Sequence, residues 1–177
     1  MNTQFVVRQA TPQDAKNFVE LHNKVWKYAY SSVLPEEVFI KREELANQKI
    51  ESFSKTMQNT ANQIVYVAEK NGELIGLMFG VLNSEYEYFN KPDYADLQAL
   101  YIHPNYQNMG IGTALKNVFI SWAKQNGKTK FVIGVLKENY SARKVYESWG
   151  GKLENYSNQF FILNKGYDEV FYTYILD

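Results

Sequence analysis

Gln107-Asn108-Met109-Gly110-Ile111-Gly112-Thr113-Ala114 stands between a strand-like run and a helix-like run. Two glycines at a helix start let the backbone curl so that successive N–H groups converge on one point. The helix dipole adds positive potential there, which suits a phosphate or pyrophosphate. Taken alone, the same residues also suit a strand-to-helix turn that needs glycine only for its backbone angles. Spacing separates the nucleotide-binding alternatives. A dinucleotide fingerprint requires a third glycine three residues after the second, where Leu115 stands. It also wants an acid about 20 residues on at a strand end, where this chain has Phe131, Val132 and Ile133. A P-loop requires Gly-Lys-Ser/Thr, which is missing. What remains is a pyrophosphate turn with a glutamine three residues before its first glycine.

Outward from the turn, Ala95 to Ile102 reads as a strand closed by His103-Pro104. On the other side Ile111, Leu115, Val118, Phe119 and Trp122 recur at helical spacing, with Gly127 where a glycine ends a helix. Thr129 to Leu136 reads as a strand. Asn139 caps a short helix whose expected inner face is Ala142, Val145, Tyr146 and Trp149. Two last strands are predicted near residues 152–163 and 168–176, joined through Asn164-Lys165-Gly166. Toward the amino terminus, residues 5–9 read as a strand. Thr11, Pro12 and Asp14 open a helix that buries Ala15, Phe18, Val19, His22, Val25, Trp26 and Ala29. The pattern predicts one second helix from Pro35-Glu36-Glu37 into the fifties, with Ala46, Ile50, Phe53 and Met57 on one stripe. Ile64–Glu69 and Glu73–Leu82 read as a hairpin about Asn71-Gly72. Residues 84–94 form an aromatic, acidic loop. The order β, α, α, β, β, β, α, β, α, β, β predicts one mixed α+β domain over residues 1–177.

Composition narrows the function. Nineteen basic residues balance nineteen acidic ones among 177, so bulk attraction to nucleic acid or an anionic membrane is not expected. The absence of cysteine removes disulfides, thiolate metal sites and cysteine nucleophiles, and fits a reducing compartment. The longest apolar run, Leu74 to Leu82, falls far short of a membrane span, and no secretory signal is visible. The expectation is a cytoplasmic protein. Two isolated histidines, His22 on an apolar helix face and His103 before a proline, argue for structural roles and against a metal site.

With Gln107, Gly110 and Gly112 in place, the chain resembles the GCN5-related N-acetyltransferase (GNAT) superfamily, whose signature is Gln/Arg-x-x-Gly-x-Gly/Ala. A second family element stands at the expected distance, Asn139-Tyr140-Ser141-Ala142-Arg143-Lys144-Val145-Tyr146-Glu147, and the element order matches along nearly the whole chain. The resemblance implies a mostly antiparallel mixed sheet flanked by helices. It implies acetyl-coenzyme A as donor and no metal. The pyrophosphate would lie on the amides of Gln107, Asn108, Met109, Gly110, Ile111, Gly112 and Thr113, and the pantetheine arm along the main chain of Leu100, Tyr101 and Ile102. Asn139 would contact the cofactor and Tyr146 would sit near the thioester sulfur. Asn108 and Met109 stand where many members carry Lys or Arg, which leaves Arg143, Lys144 or Lys116 to supply phosphate charge.

The chemistry fits these residue types. A thiolate leaving group has a conjugate acid near pKa 8.5 and tyrosine one of about 10, so a tyrosine is protonated at neutral pH and can donate to the developing anion. The base candidate is Asp96, in the register where some family members place a basic carboxylate; Glu85, Glu87 and Asp93 are alternatives on the loop before it. Those three acids face only Lys91 within the loop, which points to a small cationic amine such as a polyamine as acceptor. Trp26, Ala29, Tyr30, Leu34, Pro35 and Glu36 look similar to a segment in small-molecule and polyamine-type members. A peptide or protein amine is the alternative acceptor, a non-catalytic acyl-coenzyme A sensor the alternative class, and homodimerisation a family-level expectation.

Overall fold

Asn71 and Gly72 both take positive φ (52° and 82°) and close the hairpin that the sequence signals most directly. A computed structural model describes residues 5–176 and gives twelve elements. They are β1 (Val6–Gln9), α1 (Ala15–Tyr30), α2 (Glu36–Glu44), α3 (Ala46–Gln58), β2 (Gln63–Lys70), β3 (Glu73–Val81), β4 (Tyr94–Ile102), α4 (Ile111–Gln125), β5 (Lys130–Leu136), α5 (Tyr140–Ser148), β6 (Lys152–Ile162) and β7 (Lys165–Ile175). The strands follow one another as β1-β2-β3-β4-β5-β7-β6 in one seven-stranded mixed sheet. The chain divides into two compact units. One holds residues up to Gly80 together with Ala99–Trp122, the other Val81–Gln98 and the chain from Ala123 onward.

In the first unit Arg8 on β1 bonds Asp14 through two nitrogens (2.8 Å each) and Glu69 on β2 at 2.7 Å. Asp14 in turn accepts from the Thr11 backbone and hydroxyl at 2.8 and 2.9 Å, so the predicted helix start is built as read, with a short 3-10 turn at Pro12–Asp14 before α1. The predicted single second helix is two. Leu45 leaves the helical path (ψ 1°), and α2 and α3 both pack against α1. A continuous helix over those residues would run about 35 Å, longer than the roughly 24 Å of α1, and could not lie along it. Phe18, Leu21, Val25, Met57, Val67, Leu74 and Leu77 form the core here.

In the second unit β7 lies between β5 and β6, antiparallel to both. The 84–94 loop is packed rather than merely solvated. Phe89 is 1% exposed against Val132 and Phe171, and Tyr88 stacks on Tyr156 at 4.6 Å. The β6–β7 turn centres on Leu163-Asn164 (φ 48° and 63°), two residues earlier than Gly166 suggests. Gly166 answers a different need: a Cβ there would strike the Gln159 side chain. On α5, Val145 is 40% exposed, contrary to the expected inner face. Tyr146 is the buried residue, on a stripe with Ala142 and Trp149 at i, i+4, i+7 spacing that leaves Val145 outside.

Candidate active site

The first unit carries the glycine turn. His103 ends β4 by donating its backbone N–H to the Ile75 carbonyl (2.9 Å), and its Nδ1 accepts from the Asn105 amide (3.2 Å), so it acts as a turn residue. The chain passes through Pro104–Tyr106 in a 3-10 turn, and Asn108 and Gly110 take positive φ (61° and 79°). Ala114 N–H donates to the Gly110 carbonyl at 2.9 Å as α4 begins. The amides of Ile111, Gly112 and Thr113 precede that ladder, as at every helix start. Gln107, Asn108, Gly110 and Thr113 are exposed, Met109 and Gly112 half-buried, and Ile111 is buried beneath them. Leu100, Tyr101 and Ile102 are half-buried at the end of β4. Lys116 is half-buried one turn into α4, and burial lowers its pKa.

The turn depends on a residue the sequence reading passed over. A Cβ at Gly76 on β3 would lie 2.9 Å from Ile111 Cγ2, 3.1 Å from Ile102 Cδ1 and 3.2 Å from Leu115 Cδ1. Only a glycine lets the first turn of α4 and the end of β4 settle on β3. Its place inside an apolar run made it read as ordinary strand.

Asp96 lies in the second unit. Its pairing partner is Val132, and the β4–β5 register stops there although both strands continue. The side chain is 2% exposed and accepts a hydrogen bond from Ser84 Oγ at 2.7 Å. Burial pushes its pKa up to about 6, with help from the charges of Glu85 and Glu169, against hydrogen bonds from Ser84 and Gln98. A carboxylate so placed is ionised at neutral pH and holds a proton better than an exposed one, as a general base requires. Glu169 on β7 is the second buried acid; Tyr86 OH (2.9 Å) and Asn158 Nδ2 (3.3 Å) donate to it. Ser84, Tyr86 and Glu169 carry no motif and were not anticipated. The acids of the loop differ from expectation: Asp93 pairs with Lys130 at 3.1 Å, so Glu85 and Glu87 are left as the exposed ones. Across the strand register a lysine of β5 reaches a loop that sequence order places 37 residues away.

The second family element is also here. Asn139 Oδ1 accepts from the Ala142 amide at 3.1 Å and caps α5. Tyr146 is 8% exposed, its ring 5.9 Å from those of Trp149 and Tyr172, and its carbonyl accepts from Tyr174 OH at 2.9 Å. Arg143 donates to Tyr172 OH at 3.1 Å and to the Lys137 carbonyl at 3.0 Å, and Tyr172 OH donates to Glu147 at 2.7 Å. These bonds draw on Arg143 donors that the sequence reading offered to phosphate. Among the described residues no three His, Asp or Glu side chains gather as a metal site would require, and no helix is long and apolar enough to cross a membrane.

The model of the acetyltransferase (GNAT) family matches residues 18–151. An uncharacterized N-acetyltransferase of Methanocaldococcus jannaschii is 26% identical over 148 residues, which is 82% of this chain and 60% of that longer relative. The aminoglycoside N(6′)-acetyltransferase type 1 of Stenotrophomonas maltophilia is 21% identical over 147 residues, 81% of this chain and 84% of that one. Among solved structures, PaiA N-acetyltransferase from Thermoplasma acidophilum in complex with coenzyme A has the same fold, with a TM-score of 0.73 over 94% of this chain and 98% of that one at 20% identity.

Proposed function

Since the chain belongs to the acetyltransferase (GNAT) family, we propose that it forms one N-acetyltransferase domain that passes the acetyl group of acetyl-coenzyme A directly to a primary amine. The observation that carries this reading is the turn at residues 107–113, where positive φ at Asn108 and Gly110 precedes the free amides of a helix start. A pyrophosphate suits those amides, and the main chain of Leu100–Ile102 is assigned to the pantetheine arm.

Asp96 takes a proton from the acceptor ammonium, directly or through water, and the amine nitrogen attacks the thioester carbonyl. The C–S bond breaks and Tyr146 gives its proton to the leaving sulfur; the second proton of the attacking nitrogen passes through water to the Tyr146 phenolate and Asp96 releases its proton to solvent, which leaves a neutral acetamide and free coenzyme A. Asn139, besides capping α5, is assigned to the cofactor, as is Arg143 with its remaining donors. With no cysteine in the chain, direct transfer is preferred over an acyl-enzyme.

A small cationic acceptor is supported by the exposed Glu85 and Glu87 and by the likeness to an aminoglycoside acetyltransferase. A homodimer in the cytoplasm belongs to the same reading; Phe161 (70% exposed) and Leu163 (52%) at the β6–β7 tip are an apolar surface that a second copy would cover. The experiment is a panel of polyamines, aminoglycosides, amino acids and peptide amino termini, assayed by free thiol release. Thiol release with some amine supports the reading. Tight acetyl-coenzyme A binding without turnover on any of them makes the protein a sensor instead.

A further inference from the structure

The helices of the first unit enclose a cationic cluster that the transfer chemistry does not use. Arg42 on α2 holds its guanidinium 4.1 Å over the Trp26 ring. Its Nε and Nη2 are buried and have no hydrogen-bond partner among the described residues. These two N–H groups share one edge of the guanidinium, an edge that grips a carboxylate through two parallel bonds. On α1, His22 Nδ1 and Asn23 Oδ1 are buried and unpartnered as well, and Asn23 is only 5% exposed. Asn23 Nδ2 donates to the Arg42 carbonyl at 3.4 Å and ties α1 to α2 at this point.

Lys49 on α3 adds a second positive charge. Burial, then Arg42 and Lys49, hold His22 at a pKa of about 3, and burial with Arg42 holds Lys49 at about 8. Arg42 itself is lowered by burial, against Tyr101, Glu43 and Tyr30. Glu43, whose charge acts on both Arg42 and Lys49, is exposed. Nearly all buried polar atoms in folded proteins have partners, so the two unpartnered N–H groups of Arg42 beside the Lys49 charge are the mark of a site that an anionic ligand completes.

The ligand's position follows from Tyr101. Trp26 Nε1 donates to Tyr101 OH at 2.9 Å, and the Tyr101 ring lies 4.8 Å from that of His22. Tyr101 belongs to the stretch of β4 assigned to the acyl donor's arm, so the cluster borders the place where an acceptor's far end would rest. We propose that Arg42, backed by Lys49 and His22, binds a carboxylate of the acceptor, so that the preferred acceptor is an amine bearing a carboxylate, of the amino-acid class. The ammonium end of such an acceptor is the cation of the reading above while the molecule as a whole is a zwitterion, and the proposal rests on the acetyltransferase reading.

Two measurements test it. In the first, the intact protein is titrated with butyrate while the Arg42 Nε–H resonance is followed by NMR. Butyrate shifts that signal saturably and propylamine at equal ionic strength does not; calorimetry, which needs no Arg42 signal, reads butyrate binding weakened about tenfold or more in Arg42→Gln and less in Arg42→Lys, which keeps the charge without the fork. A wild-type signal unmoved at about 0.1 M butyrate, where even a weak site fills, overturns the proposal and leaves the orphan donors to water. In the second, kcat/KM is compared for amines with and without the carboxylate, β-alanine against ethylamine and 4-aminobutyrate against propylamine. The carboxylate raises it about tenfold or more in the wild type, and the advantage shrinks in Arg42→Gln. Equal values for both pairs overturn the acceptor assignment. Absence of transfer to any amine while butyrate still shifts Arg42 fails the transferase reading and keeps the anion site.

Discussion

Ser84 Oγ donates to Asp96 Oδ2 at 2.7 Å, and both residues are buried, at 4% and 2% exposure. The bond helps Asp96 ionise, but burial outweighs it and the pKa stands at about 6 against an ordinary 3.8. A carboxyl raised in the folded state stabilises the fold fully below its unfolded pKa and loses that stability as pH rises through the folded one. Stability therefore falls between about pH 4 and pH 6, by up to a few kcal/mol. Asp96→Asn keeps the shape and can still accept from Ser84, so it removes this loss. Thermal melts across that pH range are expected to slope down in the wild type more than in the variant. The same substitution is expected to lower turnover 10²–10⁴-fold and to abolish a rise in kcat/KM through about pH 6. A variant with the wild-type pH profile returns Asp96 to a structural role.

Tyr146→Phe removes one hydroxyl and leaves the ring contacts with Trp149 and Tyr172 and the carbonyl bond from Tyr174 in place. If Tyr146 protonates the leaving sulfur, turnover is expected to drop about 10²–10⁴-fold with coenzyme A affinity nearly unchanged. Single-turnover kinetics beside calorimetry reads both. Unchanged turnover makes it a core aromatic only.

Gly110 has φ 79° and open space where a Cβ would stand, so Gly110→Ala tests backbone conformation alone. The strain is expected to cost about 1–2 kcal/mol of stability. Gly110→Asp adds a negative charge at the helix start and is expected to abolish coenzyme A binding. Calorimetry on the folded aspartate variant checks this, and normal binding would sink the pyrophosphate assignment.

Gly76→Ala places a methyl 2.9 Å from Ile111 Cγ2, a branch fixed to Cβ with little freedom to move aside. Overpacking here is expected to cost roughly 1–3 kcal/mol and to weaken coenzyme A binding through displacement of the first turn of α4. Denaturant melts and calorimetry on one preparation separate the two effects. An alaninе variant with unaltered melts shows that the neighbouring strand absorbs the methyl.

Much of the fold was legible because its signals are local. Asn71-Gly72 demanded a hairpin, Thr11-Pro12 with Asp14 opened a helix, and Asn139 capped another, each through bonds within three or four residues. The glycine turn and the second element were legible as motifs for the same reason, since the amides of a helix start need only their own neighbours. The break at Leu45 carries no glycine or proline, and the apolar stripe runs on through it, so no local signal marked it. The turn at Leu163-Asn164 was misplaced because leucine rarely takes positive φ and the nearby Gly166 drew the reading.

Legible in the chain alone were the order of elements apart from the break at Leu45, the glycine turn and the residue types available for acid and base. Their surroundings come from tertiary packing. Asp96 owes its raised pKa to burial and to Glu169, 73 residues on; Arg143 meets Tyr172 across a strand, and Arg42 lies over Trp26 from another helix. Desolvation and pairing are sums over neighbours brought together by long-range packing, and no local pattern encodes them.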